Sequence, residues 1–330
     1  MSDVARSAGV SLVTVSRAIN EPDKVAPETL ATVRAAVEHL GYVPNLTAGS
    51  LASSRSRIVA TIVPTISNLV FSETVEALAR TLADGGYQLL LGQSGYRAAD
   101  ETALVDAFLG RRVDGLVLTG NAQPPALRAR LRRAGIPVVQ TWDLPSAPDT
   151  AIDLLVGFSN VEAGRTAADH LLDRGHRVLA FIGAEEQRSR LRLEGFRAAA
   201  AARGLDPVRD VIAELIRPPA VIDEAGPRLT QLLAHRPEVT AVFCNNDLLA
   251  AGVLFECLHR GLDVPGQLAV MGFGDLAVAR ATWPRLSTVA IRRAEMGERA
   301  GQMLLARLSG EAPGARVIDI GYEVIGRAST

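Results

Sequence analysis

Apolar residues recur at helical spacing within the first twenty positions, with a short polar interruption between two runs. Val4, Ala5 and Ala8 share one helical face, and Val15 and Ile19 resume the same period after the interruption. The pattern predicts two short helices joined by a tight turn.

Gly9 and Ser11 stand where the turn between these helices is expected. Glycine adopts the left-handed backbone that ends a helix at little cost, and a serine oxygen accepts an unpaired N–H at the start of the next helix. Two short helices that cross steeply, the second with polar residues outward, place a helix in the DNA major groove. An ordinary helical hairpin is the alternative interpretation.

A third helix is predicted over Thr29 to Leu40, because its apolar period continues until Gly41 and Pro44. A short, weakly helical segment follows over Asn45 to Arg57. The N-terminal part of the chain is therefore predicted to be all-α.

From Ile58 onward, apolar runs alternate with amphipathic helices. Continuous apolar runs of this length are typical of parallel strands that are buried on both faces. The predicted strands are Ile58–Val63, Tyr87–Gly92, Val113–Thr119, Ile136–Trp142, Arg177–Gly183, Val239–Asn245 and Leu268–Phe273. The predicted helices include Ser72–Ala83, Glu101–Leu109, Glu162–Arg174, Leu191–Arg203, Asp247–Arg260 and Arg293–Leu308. The two sets of strands indicate two doubly wound α/β subdomains, with ligands expected beyond the carboxyl ends of the strands in a cleft between them.

Length and charge refine this picture. A chain of 330 residues is too long for one core and indicates two or three domains. Its formal net charge is −1, so no strong overall field draws it to DNA. Residues 1–45 carry four basic and five acidic side chains, and Arg55 and Arg57 change the local sum from −1 to +1. Any DNA binding must therefore depend on local contacts.

Other classes of protein are disfavoured. Cys244 and Cys257 lie in apolar surroundings, as expected of buried thiols in a reducing compartment. Without a long apolar run or a secretory signal, we expect a cytoplasmic protein with no membrane partner. We expect no cofactor, no metal and no catalytic residue, because the sequence has no metal-ligand spacing, no glycine-rich phosphate loop and no nucleophile–base pair.

The N-terminal motifs carry a resemblance. The N-terminal part of the chain resembles the lactose/galactose repressor family of bacterial transcription regulators. The resemblance rests on the motifs DVARSAGVS, TVSRAIN and LGYVPN, and on an A-x-x-L spacing before an R-S pair. SNLVFSE, GYQLLLGQSGY, DGLVLT, FCNNDLLAAG and MLLARLSGE most resemble its gluconate repressor branch. The resemblance implies a helix-turn-helix domain over 1–45, a hinge helix over 46–57 and a periplasmic-binding-protein-like core over 58–330. Its strand crossovers are expected near 157 and 285.

The resemblance also implies which residues meet DNA. Leu12 and Val13 occupy the positions that reach base edges, with Arg17 one turn further on. Arginine suits guanine O6 and N7, whereas Leu12 and Val13 offer only apolar contact, for instance with a thymine methyl. Helical spacing puts Leu12 and Val13 opposite Val15 and Ile19, so we expect them to be exposed.

Polar residues of the same helix are candidate phosphate ligands, which fix register and read no sequence. They are Thr14, Ser16 and Asn20.

Leu51 stands where the family inserts a leucine wedge into the minor groove. Two such wedges require a homodimer on a pseudo-palindromic operator. Gly49 replaces the arginine that is common in the family, and glycine weakens a helix by about 1 kcal/mol relative to alanine. We therefore expect the hinge helix to be unfolded in the free protein and to fold on DNA, which amide exchange would test.

Arg192, near the start of the helix after a predicted strand, stands where the resemblance implies a basic residue that grips ligand. A guanidinium binds a carboxylate in bidentate fashion. The alternative is a solvated arginine, as expected for Arg188 and Arg190. Asn246 follows another strand and could serve sugar hydroxyls, whereas Asp247 is expected to cap the next helix.

Further candidates complete the predicted effector site. Aromatic faces stack on the apolar side of a sugar, although Phe71 is equally compatible with the core. Asp143 sits one residue later than the usual aspartate of the family, and Gly274 replaces an aspartate that many members use to bind a sugar. Loss of that acid beside a retained Arg192 fits an anionic ligand. The candidates beyond Arg192 and Asn246 are Phe71, Tyr96, Thr119, Trp142, Asp143 and Asn160.

The sequence therefore predicts a dimeric transcriptional repressor that leaves its operator when a small sugar acid, such as gluconate, closes the core. A neutral sugar or a corepressor is compatible with the same fold. A solute-binding receptor is disfavoured by the N-terminal DNA-binding motif, and an enzyme by the absence of a catalytic constellation.

Overall fold

The computed structural model describes residues 1–43, 55–67, 69–145, 151–311 and 314–330. They belong to two compact units, Met1–Ser56 and Arg57–Thr330. The predicted fold class, a small all-α domain followed by a core of two doubly wound α/β subdomains, is confirmed.

Within its described residues 1–43, the first unit has three helices and one 3-10 turn. Gly9 ends the first helix with a left-handed backbone, at φ 64°, and the Ser11 side chain caps the second by accepting the Thr14 N–H at 3.1 Å. The third helix begins earlier than predicted because Pro27 suits the first helical turn. The elements are α1 (Ser2–Ala8), α2 (Leu12–Asn20), the 3-10 turn Pro22–Lys24 and α3 (Pro27–His39).

A small apolar core joins these three helices. Val4 and Val15 are fully buried and pack with Val33 of α3. The helical spacing seen in the sequence therefore marks the buried face of α1 and α2.

The second unit contains two six-stranded sheets with helices on their faces. In the first sheet the strand order is β11-β5-β4-β3-β1-β2, and every described pairing is parallel. Its strands are β1 (Ile58–Val63), β2 (Gln88–Gln93), β3 (Gly115–Thr119), β4 (Val138–Thr141), β5 (Leu154–Gly157) and β11 (Val317–Asp319).

The second sheet has the strand order β12-β10-β9-β8-β6-β7 and is parallel except for the antiparallel pair of β10 and β12. Its strands are β6 (Leu179–Ala184), β7 (Val211–Ile216), β8 (Ala241–Cys244), β9 (Ala269–Gly274), β10 (Ser287–Ile291) and β12 (Tyr322–Ile325).

The helices of this unit follow the strands in alternation. They are α4 (Ser72–Asp84), α5 (Ala98–Gly110), α6 (Pro125–Ala134), α7 (Asn160–Leu172), α8 (Gln187–Ala202), α9 (Ala225–His235), α10 (Asp247–Arg260), α11 (Ala277–Ala281) and α12 (Arg293–Ser309). Among the residues that the structure describes, none of these helices combines the length and apolar character that a membrane span requires.

The chain passes between the two sheets three times. It leaves the first sheet after Gly157, returns after Ile291, and crosses again between Asp319 and Tyr322. The crossing expected near 285 was therefore placed too early. The sequence pattern missed β10 because it begins with the polar pair Ser287 and Thr288, which are buried and hydrogen-bonded in the structure.

Helices α7 and α8 lie in backbone contact. A Cβ added to Gly164 would overlap the Arg192 carbonyl, and a Cβ added to Gly195 would overlap the Val161 carbonyl. Two glycines, one on each helix, therefore allow the helix backbones to lie closer together than any larger residue would permit. This approach sets the distance between Asn160, which begins α7, and Arg192 on α8.

We expect Gly195→Ala to lower the free energy of unfolding by about 1–3 kcal/mol, the usual range for overpacking. The added methyl must separate α7 from α8. Urea denaturation monitored by circular dichroism measures the change, with Gly110→Ala as the control. Gly110 ends α5 with a negative φ, and a Cβ there meets no other atom. Equal stability of the Gly195→Ala variant and the wild type would contradict the close contact.

Candidate functional site

The second helix of the N-terminal unit presents apolar side chains to solvent. Leu12 is 50% exposed and Val13 is 63% exposed, while Val15 on the opposite face is buried. The predicted exposure of Leu12 and Val13 is confirmed. Exposing two aliphatic side chains at the start of a helix costs hydration free energy, which indicates a contact surface.

Arg17 continues this surface one turn further along α2. Arg6 and Lys24 of the same unit form ion pairs with Asp3 and Glu21. Arg17 is exposed and forms no ion pair with another residue in the described range 1–43. Its guanidinium is therefore available to an external acceptor.

The predicted phosphate ligands are placed only in part. Thr14 and Ser16 are partly exposed on α2, and the Thr14 hydroxyl hydrogen-bonds to the Ser11 hydroxyl at 2.8 Å. The side chain of Asn20, the whole of Leu51 and the predicted hinge lie outside the described part of the structure, apart from the hinge's last three residues.

In the second unit, a cavity lies where the carboxyl ends of the two sheets face each other. It measures about 30 Å³, room for one or two water molecules. Five of the eight predicted effector residues line it: Phe71, Tyr96, Trp142, Arg192 and Asn246. Its other lining residues include Glu186, Arg188, Asn245 and Phe273.

Arg192 lines this cavity and is buried. Its guanidinium donates to Asn160 Oδ1 at 2.5 Å and lies 4.2 Å from the centre of the Phe273 ring, a cation–π contact. Burial lowers the pKa of Arg192 to about 10, opposed by the nearby Glu186 carboxylate, so the group stays charged at neutral pH. Its buried Nε–H has no acceptor among the described residues.

Asn160 and Asp143 hold this arginine from behind and do not line the cavity. The Asn160 amide donates to Asp143 Oδ1 at 2.8 Å and to the Trp142 carbonyl at 3.0 Å, while its oxygen accepts from Arg192. Burial raises the pKa of Asp143, and the bond from Asn160 opposes that shift. Asn160 thus connects the end of β4 in the first sheet with α8 of the second subdomain.

Arg188 was predicted to be a solvated arginine, and this is wrong. It is buried, its guanidinium lies 5.4 Å from the centre of the Phe71 ring, and it pairs with Glu186 at 3.2 Å. Arg190, in contrast, is exposed and pairs with Glu185. The signal was present in the sequence, because Arg188 precedes Arg192 by one helical turn and shares its face.

Glu186 lies between the two cavity arginines and was not predicted. Its carboxylate caps α8 by accepting the Ser189 N–H at 2.7 Å and the Arg188 N–H at 3.2 Å. It also lies 3.9 Å from the Arg192 guanidinium. The Glu186 carboxylate therefore caps α8 and also lies close to both arginines.

The Asn245–Asn246–Asp247 segment differs from expectation. Asn246 is the residue that caps α10, accepting the Leu249 N–H at 2.8 Å, so the prediction that Asp247 caps this helix is wrong. Asp247 is buried and accepts from Thr288 and from the Leu276 N–H, each at 2.6 Å. Burial raises its pKa to about 6. Asn245 and Asn246, between the strand end and the helix, line the cavity, whereas Asp247, the first helical residue, does not.

Two cavity residues hold a left-handed backbone. Tyr96 has φ 62° and Trp142 has φ 72°, values that bulky residues seldom adopt and that concentrate at functional sites. The Trp142 ring packs edge-on against Phe71, with centroids 5.0 Å apart. The aromatic wall of the cavity is therefore fixed by both backbone and packing.

Thr119 lies outside this cavity. Its hydroxyl donates to the Ile62 carbonyl at 2.9 Å, and it lines an adjoining cavity of about 180 Å³. Tyr96, Glu186 and Arg188 line both spaces and form the wall between them.

Gly274 is in contact with Arg293, which is buried. The Arg293 guanidinium donates to the Gly274 carbonyl and forms a bidentate pair with Glu73, at 2.7 and 3.1 Å. Gly274 has φ 121°, a conformation closed to an aspartate without strain. Arg293 thus joins β9 of the second sheet to α4.

The site residues present no metal-binding group: among the described ranges, no cluster of three or more His, Cys, Asp or Glu residues is arranged to hold an ion. What the cavity offers is two guanidiniums, one carboxylate, two amides and an aromatic wall. This set suits a small, polar, anionic molecule.

Comparisons with known proteins identify both units. Residues 1–45 match the family model "Bacterial regulatory proteins, lacI family", and residues 168–330 match "Periplasmic binding protein-like domain". The chain is 42% identical over 332 residues to the HTH-type transcriptional regulator GntR of Pseudomonas aeruginosa, which covers 100% of this chain and 95% of the relative.

Solved structures of similar proteins have the same fold. A transcriptional regulator of the LacI family from Silicibacter pomeroyi superposes with a TM-score of 0.91 at 32% identity, covering 99% of this chain and 98% of that one. The transcription regulator GntR from Chromobacterium violaceum superposes with a TM-score of 0.77 at 35% identity, covering 82% and 98%.

Proposed function

The chain belongs to the lacI family of bacterial regulatory proteins, and from that premise we propose that it is a dimeric repressor released from its operator by a small sugar acid, first of all gluconate. It is a DNA-binding transcriptional regulator and not an enzyme. In this proposal residues 1–45 bind DNA, residues 46–57 form the hinge and residues 58–330 hold the effector.

The observation that carries the sugar acid is the pair of buried arginines in one cavity. Arg188 and Arg192 both line it, and the Arg192 Nε–H has no acceptor among the described residues. A carboxylate would supply that acceptor and a charge-assisted bond. The aromatic side chains of Phe71 and Trp142 offer an apolar face to the carbon chain of the ligand.

The size of the cavity supports release by a conformational change. The cavity is small, about 30 Å³, and we propose that the subdomains or the lining side chains move when a six-carbon acid binds. A ligand that binds one arrangement better shifts the population toward it. Operator affinity changes only to the extent that DNA and ligand prefer different arrangements.

Two alternatives to this proposal are a neutral sugar as the effector and a ligand that acts as a corepressor. A neutral sugar would leave the two arginines without an anionic partner beyond Glu186 and Asp143. A corepressor differs only in sign, because the same coupling would then strengthen operator binding.

On DNA, we propose that Leu12, Val13 and Arg17 contact bases, while Thr14, Ser16 and Asn20 contact phosphates and Leu51 enters the minor groove. The exposure of Leu12 and Val13 and the unpaired state of Arg17 within residues 1–43 support the base contacts. An operator recovered by selection from random duplexes would supply the DNA for the tests below.

For the dimer, we propose an interface on α10 and the segment after α11. Leu258 is 72% exposed and Trp283 is 89% exposed, and Phe255 lies one turn before Leu258 on the same helix. Large apolar side chains clustered on a surface mark a protein interface more often than a free face.

We expect Arg192→Ala to abolish gluconate binding in calorimetric titration, because the variant loses the buried guanidinium that would hold the carboxylate. Operator affinity without ligand should change little. Arg190→Ala is the control, since Arg190 is exposed and pairs with Glu185 outside the cavity. Unchanged gluconate affinity in Arg192→Ala would remove this residue from the site, and selective binding of a neutral sugar by the wild type would replace the sugar acid.

We expect Arg17→Ala to weaken specific operator binding by roughly 5- to 150-fold, the value of one bidentate base contact. Fluorescence anisotropy with operator and with scrambled duplex would show that the specificity ratio falls. Arg34→Ala removes the same charge from the exposed surface of α3 and should weaken both duplexes alike. If Arg17→Ala also leaves the ratio unchanged, Arg17 contacts only phosphate.

We expect Leu258→Asp to convert the dimer to a monomer in sedimentation velocity and to weaken operator binding, while gluconate binding is kept. A buried charge without a partner is not tolerated at an interface. Val208→Asp is the control, because Val208 is similarly exposed outside this surface. A dimer that survives Leu258→Asp would place the interface elsewhere.

A further inference from the structure

Glu186 contributes a fixed negative charge to a cavity that is built around two arginines. Its carboxylate is mostly buried and accepts bonds from two backbone N–H groups at the start of α8. The positive end of the helix dipole favours the ionised form there. Since both bonds come from the backbone, the charge stays in place even when the arginine side chains turn toward a ligand.

The charged side chains that line the cavity leave one positive charge in excess without a ligand. Arg188 and Arg192 supply two cations and Glu186 supplies one carboxylate, while the Asp143 carboxyl, whose pKa burial raises, lies behind the cavity wall. All four side chains are buried or nearly so. A bound monocarboxylate balances this charge, and a dianion leaves one negative charge in excess. An uncompensated charge away from water is costly, and the cost grows with the number of such charges.

The adjoining cavity gives a second negative group no better place. It is lined by Glu101, Glu185 and Glu186. Its exposed cation, Arg97, already pairs with Asp100 at 3.4 Å, and Arg188 already pairs with Glu186. The far end of a ligand held by Arg192 would therefore meet acids more than free cations.

We infer that Glu186 is the residue that limits the cleft to ligands with a single negative charge. Sugar acids with one carboxylate are accepted, while sugar dicarboxylates and sugar-acid phosphates are rejected. This inference rests on the proposed function, because it assumes that the cleft binds an anionic sugar derivative.

The test is calorimetric titration of the wild type and Glu186→Gln with gluconate, with the dicarboxylate glucarate and with neutral glucose. We expect the wild type to bind gluconate at least tenfold more tightly than glucarate. In Glu186→Gln that preference should fall at least tenfold, mainly through a gain in glucarate affinity. Glu194→Gln is the matched control, since Glu194 is exposed on α8 and lines neither of the two cavities; it should keep the preference.

A second variant guards against a folding defect. Glu186→Asn removes the same charge but keeps a side chain that is preferred as a helix cap. It should reproduce the change in preference while retaining the thermal midpoint of the wild type.

An unchanged preference for gluconate over glucarate in Glu186→Gln and Glu186→Asn would overturn the inference. An equal loss of affinity for gluconate and glucarate would also overturn it, because Glu186 would then bind ligand hydroxyls directly. Failure of the proposed function is a separate result: the wild type would then bind glucose alone. In that case Glu186→Gln should newly admit gluconate, and its failure to do so would overturn the inference as well.

Discussion

The cleft depends on one steric constraint, the contact between the backbones of α7 and α8. Gly164 and Gly195 remove the two Cβ atoms that would hold these helices apart. With the helices this close, the amide of Asn160 reaches Arg192 on one side and Asp143 and the Trp142 carbonyl on the other. The position of a charged group in the cleft is therefore decided by two residues that have no side chain.

A buried arginine is stable only where its surroundings compensate its charge. Here the compensation is spread over several contacts: the oxygen of Asn160, the face of Phe273 and the more distant Glu186 carboxylate. These contacts leave the Nε–H donor of the guanidinium without an acceptor among the described residues. The protein thus keeps a charged donor out of water without satisfying it fully, which is the state from which a ligand gains most.

The sequence predicted the fold class and the apolar strands well, because long buried runs such as Ile58–Val63 have an unambiguous pattern. Five strands were nevertheless missed. They include the apolar β5 and β7, the short β11 and β12, and β10, which begins with Ser287 and Thr288, polar residues buried by partners far along the chain. Among site residues, the structure places Arg192, Trp142 and Asn246 in the cavity, but Asn246 rather than Asp247 caps α10. Both residue types are favoured as helix caps, so sequence alone does not decide which of two neighbours takes that role.

Gly274 and Arg293 form a contact that depends on backbone conformation. The Arg293 guanidinium donates to the Gly274 carbonyl, and Gly274 has φ 121°, a conformation that residues with a side chain adopt only with strain. A Cβ at this position would lie 3.4 Å from the Arg293 guanidinium. The tolerance of position 274 to substitution is therefore limited by the torsion angles of the main chain before any contact with a ligand is considered.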